Sequence, residues 1–456
     1  MPKTTEQFAS FRRLYRHLPD SFYENAAFAL TAAMIGLLLL EQIAQFFFRT
    51  YLLRTGQVLL GSLAEFFVLF SLGKRLLLPG RKLLYTLCDL ALGAMLLWSI
   101  VSTVLSPDPA YCFLGSSYRL EGLSTYLIYA SFFLCCRMIR RQELIWRLLW
   151  FFGICVTVLG MIALLQSFPF FISLLQALDF SAYHLTPDTL NSILDHENHF
   201  AYLVNMAVVF FAGIFLFSTS AGQKRWSLAL FILNFLVLLR NNTLGYYIAA
   251  LIGICFLCIM LFYREGLRWK EPLILLGSFL LLSILCELAD FSVVNSTNRG
   301  DSTMLNTGIF EELDTALDEI WSLSPETTKY TNNTIRLKMW QIAWEYIRQR
   351  PVLGLGPDGS GITERAFSLV DRPHNEYIQY ALYLGIPGAA MYLTALGSLF
   401  LRCLRQLKAL PVPAVVLGGV VFAYCASAFI GNTMYYTTIY FFCFLGLLTG
   451  LAAQTE

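Results

Sequence analysis

Charged residues are scarce in this chain. Only 14% of its 456 residues are Asp, Glu, Lys or Arg, whereas 57% are hydrophobic, and the mean hydropathy is +0.61. Soluble domains do not need so apolar a composition, so the sequence predicts a polytopic membrane protein. A small-residue cleavage site is also lacking at the first apolar run, which argues against a cleaved signal peptide.

The sequence also lacks the patterns of disulfide-rich and metal-binding proteins. Most of its 11 cysteines lie inside or beside apolar runs, where a free thiol packs as a small hydrophobic group. His196 and His199 stand beside carboxylates, but their spacing is one residue short of the zincin pattern. No Asp-x-Asp motif occupies a predicted exterior position. We therefore expect no metal and no cofactor.

Twelve apolar runs are candidates for membrane spans, and they divide the chain into three parts. Residues 1–290 are predicted to form an N-terminal bundle of about nine helices, and residues 374–456 to form about three C-terminal helices. Residues 291–373 form a large water-facing loop with an amphipathic helix. The predicted fold class is thus all-α, with about twelve transmembrane helices.

The distribution of Lys and Arg predicts the orientation. If the N-terminus is cytoplasmic, 20 basic residues fall in interior segments and 4 fall in short exterior loops. The positive-inside rule therefore predicts a multi-pass protein of the cell membrane, with both termini in the cytoplasm and the large loop outside.

The end of the large loop carries the first candidate site residue, His374. Pro373 is expected to keep the preceding chain extended, so that the helix begins at the histidine. The partial positive charge of a helix N-terminus disfavours imidazolium, and a neutral imidazole can act as a general base. His374 is therefore the candidate catalytic base, and an interfacial histidine without chemistry is the alternative.

Residues further along this span are predicted to support the histidine. Asn375 and Gln379 share one face of the helix, and such polar side chains are expected to point into the protein. Gly385 and Gly388 are predicted to permit close helix packing, with Pro387 kinking the span.

Four arginines at or near the predicted outer face are candidates for an anionic ligand, because a guanidinium group binds phosphate through two parallel hydrogen bonds. They are Arg336 at the start of the amphipathic helix, Arg119 before the fourth span, Arg240 in a polar turn, and Arg372. The alternative for Arg119 is a snorkelling side chain or an ion pair with Glu121. Arg240 could simply belong to the turn.

The order of several motifs resembles the O-antigen ligase/polymerase superfamily of membrane glycosyltransferases. The motifs are Arg336-x-x-x-Trp340, then Pro351-Val352-Leu353-Gly354-Leu355-Gly356-Pro357, then His374-Asn375 followed after nine residues by Gly385-x-x-Gly388. Asn198-His199-Phe200-Ala201 resembles the start of a span in the same family. Ala389 departs from the residue that many members carry after the second glycine.

This resemblance implies a GT-C-like fold and metal-independent sugar transfer from a polyprenyl-diphosphate-linked glycan, such as an undecaprenyl diphosphate donor. The acceptor hydroxyl would belong to a glycan, a lipid or a protein at the outer face of the bilayer, in polysaccharide biosynthesis of the cell envelope. His374 would be the base and the four arginines would bind the diphosphate. Asn198 and His199 would lie near the donor or acceptor path, and no nucleic acid is expected.

Two other classes of protein are compatible with the composition. A transporter or flippase of an anionic or lipid-linked substrate is the main alternative, because twelve spans are common among carriers. The polar residues cluster at the predicted outer boundary rather than at the midplane, which argues against a carrier. A structural scaffold is the third possibility, but no feature of the sequence favours it.

Overall fold

The computed structural model describes residues 15–48, 50–77, 85–116, 119–166, 168–177, 192, 194, 197–241, 243–289, 332–359 and 372–454, apart from the side chains of a few helical positions. All regular secondary structure within these ranges is helical. Most of the predicted large loop lies outside them, so the division of the chain into three parts stays a prediction.

The described helices are α1 Asp20–Ile43, continued by a π-helix at Ala44–Phe48, α2 Leu53–Leu77, α3 Leu87–Val104, α4 Pro109–Leu114, α5 Leu123–Met138, α6 Gln142–Gln166, α7 Pro169–Ala177, α8 Glu197–Phe217, α9 Ala221–Asn241, α10 Leu244–Glu265, α11 Lys270–Leu288, α12 Asn332–Gln349, α13 Glu376–Arg405, α14 Val412–Ser427 and α15 Thr438–Ala452.

Eight of these helices are long and apolar enough to cross a membrane, namely α1 with its π-helical continuation, α2, α3, α6, α8, α10, α11 and α13. The helices α5, α14 and α15 are also apolar but shorter. Together they indicate a multi-pass membrane protein. The predicted number of twelve spans is not confirmed, because these three helices are shorter and α9, which covers the seventh predicted span, is not among the eight either.

Helix α8 lies at the centre of the bundle. Every residue from His199 to Phe217 is buried, and α8 packs against α6, α9, α10 and α14. Its one amide side chain in this stretch, Asn205, donates to the Ser427 hydroxyl of α14 at 2.8 Å. Because this stretch is buried on every side, α8 faces other helices rather than the surface of the bundle.

Helix α13 is kinked at Gly385. This residue has a φ of +68°, a value that glycine adopts at little cost, and it lies two residues before Pro387. A Cβ atom at Gly385 would lie 2.2 Å from the carbonyl oxygen of Val352. Gly385 therefore allows a close approach by residues 351–359, whereas close packing of two helices was expected. Gly388 faces Leu384 of its own helix.

Residues 351–359, here called the 351–359 turn, replace the hydrogen bonds that the kink removes from α13. The backbone N–H groups of Leu355 and Gly356 donate to the carbonyl oxygens of Leu382 and Tyr383 at 3.0 and 2.9 Å. The carbonyl of Leu384 accepts a hydrogen bond from a tryptophan of α3. Irregular backbone inside a membrane is stable only where protein supplies such partners.

The amphipathic helix α12 runs beside the first part of α13. Trp340 Nε1 donates to the carbonyl of Pro373 at 2.8 Å. In the 351–359 turn that follows α12, the carbonyl of Pro351 accepts from the N–H of Ile386 at 2.8 Å. Helix α12 and this turn therefore both contact α13.

Candidate functional site

His374 lies just before α13 and not within it. The residue has a φ of +47°, which is uncommon for residues other than glycine. Its side chain is half-buried. The expectation that the helix begins at His374 is wrong, because Asn375 is the N-cap. Its Oδ1 atom accepts hydrogen bonds from the N–H groups of Tyr377 and Ile378, both at 3.0 Å. The imidazole therefore projects from the loop that precedes the cap.

Residues 428–437, here called the 428–437 loop, join α14 to α15 and hold the start of α13. Asn375 Nδ2 donates to the carbonyl of Phe429 at 3.1 Å. Gln379 binds Thr433 twice, through Nε2 to the hydroxyl at 2.6 Å and through Oε1 from the backbone N–H at 3.2 Å. Both amide side chains predicted to support the histidine thus bond to this loop.

Arg372 and Asp358 form a buried ion pair beside the same loop. Arg372 Nη2 lies 2.8 Å from Asp358 Oδ1, and the two side chains are 0% and 2% exposed. Arg372 Nη1 also donates to the carbonyl of Thr433 at 2.7 Å. The second carboxylate oxygen of Asp358 accepts from the N–H of Ser116 at 2.7 Å. The pair therefore ties the 351–359 turn, the chain before α5 and the segment of His374 together.

Glu121 is a second buried carboxyl group in this cluster. Its Oε1 atom accepts a hydrogen bond from the Tyr129 hydroxyl at 2.7 Å. Burial raises the pKa of Glu121, although the nearby guanidinium group of Arg372 acts in the opposite direction. Glu121 and Arg119, which the structure both describes, form no ion pair, so the predicted alternative of a pair between them is wrong.

Two of the predicted arginines meet at Met434 in the 428–437 loop. Arg119 Nη1 lies 3.7 Å from the Met434 sulfur, and Arg372 Nη1 lies 3.8 Å from it. The backbone N–H of Arg119 donates to the Ser116 hydroxyl at 3.0 Å, and the side chain is half-buried. The structure thus brings together two cations that are far apart in the sequence.

The start of α8 reaches the other end of the 428–437 loop. The ring of His199 is buried against Tyr436, with centroids 5.7 Å apart, and Tyr436 packs on Tyr435 at 4.0 Å. Asn198 lies beside His199 in the first turn of α8 and is half-buried. His196 lies outside the described residues.

The remaining candidate arginines lie on α9 and α12. Arg240 is half-buried in the last turn of α9, and the neighbouring Asn241 donates from Nδ2 to the carbonyl of Glu197 at 3.3 Å. This bond holds the end of α9 at the start of α8. Arg336 lies on α12, but its side chain is outside the described part of the chain. Within that part, no group of three His, Cys, Asp or Glu residues could hold a metal ion.

Sequence reasoning missed the 428–437 loop and Asp358. One signal for the loop was available, namely the uncharged polar and aromatic run from Asn432 to Thr438 between two apolar segments. All seven of these residues are buried, which is unusual for a short connection between membrane helices. No local signal marks Asp358, because its partners lie 14 and 242 positions away.

The helices indicate a multi-pass membrane protein, and the buried polar cluster is its candidate site. Residues 228–393 match the family model of the O-antigen ligases, and this match supports the O-antigen ligase superfamily for the chain. The matched residues run from α9 to the middle of α13 and include Arg240, Arg336, Arg372 and His374. Such a family implies activity of the glycosyltransferase type. No curated protein matches the chain.

Proposed function

We propose that this protein is a membrane glycosyltransferase that transfers a glycan from a polyprenyl-diphosphate-linked donor to an acceptor hydroxyl. One observation carries the proposal: the segment of His374, Arg119 and the start of α8 all contact the 428–437 loop. A candidate base and a candidate phosphate ligand are thereby gathered at one end of an apolar bundle, which can hold the lipid tail of such a donor.

In this proposal the acceptor oxygen attacks the anomeric carbon of the donor sugar. A bond forms between that oxygen and the anomeric carbon, the bond from this carbon to the diphosphate oxygen breaks, and the diphosphate leaves with the bonding electrons. His374 takes the proton of the acceptor hydroxyl. Because Asn375 caps α13, the imidazole is held ahead of the helix and is half-buried rather than enclosed.

The arginines would stabilise the negative charge of the leaving diphosphate. Arg119 is half-buried beside the Met434 sulfur, next to the loop that also holds the segment of His374. Arg336 and Arg240 are proposed for the same role on α12 and α9. Arg372 is fully buried in its pair with Asp358, so we propose that it positions the segment of His374 instead of contacting the diphosphate.

The remaining features of the proposal follow from the orientation and from the chemistry of the donor. The positive-inside rule favours the outer face of the membrane for the site. The acceptor would be a glycan, a lipid or a protein. Guanidinium groups would supply the charge that a divalent metal supplies in other transferases, so the reaction would need no metal.

The test is replacement of His374 by Ala in the native host, with protein levels matched to the wild type. Surface glycan and the lipid-linked precursor on each leaflet of the membrane are measured together. We expect loss of glycan and accumulation of precursor on the outer leaflet. His17, which is exposed before α1, provides a matched control, and His17→Ala should leave both quantities unchanged.

Two results would overturn the proposal. Precursor trapped on the inner leaflet would identify a flippase. Unchanged glycan and precursor in the His374→Ala strain would remove the histidine as the base.

A further inference from the structure

A third guanidinium group, that of Arg54, contacts the 428–437 loop. Arg54 is the second residue of α2, and its guanidinium carbon lies 5.1 Å from the ring centroid of Tyr435. Its Nη1 atom also donates to the hydroxyl of Thr125 at 3.2 Å. The side chain is half-buried. No resemblance or motif in the sequence singles out this residue.

Two further hydrogen bonds fix the groups that hold Arg54. Gln57, one turn along α2, donates from Nε2 to the carbonyl of Tyr435 at 2.9 Å and so fixes the loop against this helix. The Thr125 hydroxyl donates to the carbonyl of Leu120, the neighbour of Arg119 in the chain. Arg54 and Arg119 therefore contact the adjacent residues Tyr435 and Met434.

The guanidinium group of Arg54 contacts the neutral side chains of Thr125 and Tyr435. Among the described residues no carboxylate forms an ion pair with Arg54, whereas Arg372 is balanced by Asp358. The acid at the same end of α2, Glu41, caps the helix through the N–H groups of Leu52 and Leu53, each at 2.6 Å. A half-buried guanidinium on an aromatic face keeps its planar donors oriented for an anion.

We propose that Arg54 is a substrate-binding residue that, together with Arg119, contacts the diphosphate of the lipid-linked donor. The inference rests on the proposed function, and it adds a residue and a helix to that site. A diphosphate offers two phosphate groups, and two guanidinium groups on adjacent residues of one loop can contact one each. Arg54, Thr125 and Tyr435 all lie outside residues 228–393, so the site extends beyond the part of the chain that matches the family model.

The test measures binding of undecaprenyl diphosphate and of undecaprenyl monophosphate to the purified full-length protein in nanodiscs. Arg54→Gln should weaken binding of the diphosphate at least tenfold and reduce the preference for diphosphate over monophosphate. Arg54→Lys keeps the charge but loses the planar guanidinium group, so its affinity for the diphosphate should lie between those of Arg54→Gln and the wild type. Arg147→Gln is the control, since Arg147 is an exposed arginine of α6 that pairs with Glu143.

Separate readouts distinguish this inference from the proposed function. A folded Arg54→Gln protein that binds the diphosphate as tightly as the wild type overturns the role of Arg54. Wild-type protein that binds the diphosphate but transfers no glycan overturns the proposed function alone. If Arg54→Gln does not fold, the Arg54→Lys protein is measured instead. Diphosphate binding as tight as in the wild type would then overturn the role of Arg54. In the transfer assay, Arg54→Gln should raise the KM for the donor more than it lowers kcat.

Discussion

Asp358 neutralises Arg372 in the interior of the protein, with Nη2 and Oδ1 separated by 2.8 Å and both side chains almost fully shielded. Arg372 lies two residues before His374, and Asp358 belongs to the turn that supports the kink in α13. The pair thus connects the packing of the bundle to the segment of the candidate base. It also explains why a charged side chain is tolerated at this depth.

The first prediction concerns this pair. Asp358→Asn leaves the guanidinium group buried without its counter-charge, so the variant should be destabilised by about 3–5 kcal/mol. Thermal unfolding of the detergent-solubilised protein measures the loss. Arg372→Gln should also destabilise, and the double variant should lose less than the sum of the single variants. Strictly additive losses would show that the two side chains are not coupled.

The second prediction concerns the kink of α13. Gly385→Ala places a Cβ atom against the backbone of Val352 and forces a positive φ on alanine, so it should cost at least about 1–2 kcal/mol. Gly397 lies on the same helix, and a Cβ atom there meets nothing within 4 Å. Gly397→Ala should therefore be neutral or stabilise the protein by up to about 1 kcal/mol. Equal melting temperatures for the two variants would contradict the role of the kink.

Much of the architecture could be predicted from sequence because it depends on local patterns. Apolar runs predict the long helices, and Pro387 predicts a kink in α13, which the structure has two residues earlier, at Gly385. The sequence also predicts spans where the structure has α5, α14 and α15, but these helices are only 15 or 16 residues long, below the usual length of a span.

The site was predictable only in part. His374, Asn375 and Gln379 are close in sequence, and the four-residue spacing of Asn375 and Gln379 predicts that both bond inside the protein. Arg54 and Asp358 join the cluster through contacts between distant segments, which no periodicity encodes. The predicted start of α13 at His374 is two residues too early, because the side chain of Asn375 caps the helix.

The third prediction concerns pH. Because burial raises the pKa of Glu121 above its ordinary value of 4.5, the folded protein binds this proton more tightly than the unfolded chain. Stability should therefore fall as the pH rises from about 4.5 to the pKa of Glu121 in the folded protein. Above that pKa, the contribution of Glu121 to stability should no longer change with pH. Glu121→Gln cannot titrate, so its melting temperature relative to the wild type should increase with pH across this window.

Melting curves recorded at a series of pH values check this difference. Glu143→Gln is the matched control, because it removes a carboxyl group that is 71% exposed on α6. Parallel curves for Glu121→Gln and the wild type would mean that the carboxyl group of Glu121 does not contribute to the pH dependence.

The last prediction tests whether α12 positions the candidate base. Trp340 Nε1 donates to the carbonyl of Pro373, immediately before His374, so Trp340→Phe keeps an aromatic ring but removes one hydrogen bond worth about 0.5–1.5 kcal/mol. If that bond holds the histidine in its reactive position, kcat for glycan transfer should fall by up to about tenfold while the donor KM changes little. Trp344 lies one turn later on α12 and is 56% exposed, so Trp344→Phe should leave kcat unchanged. The same decrease of kcat in both variants would indicate a general weakening of α12. No decrease in either variant would show that this hydrogen bond does not position His374.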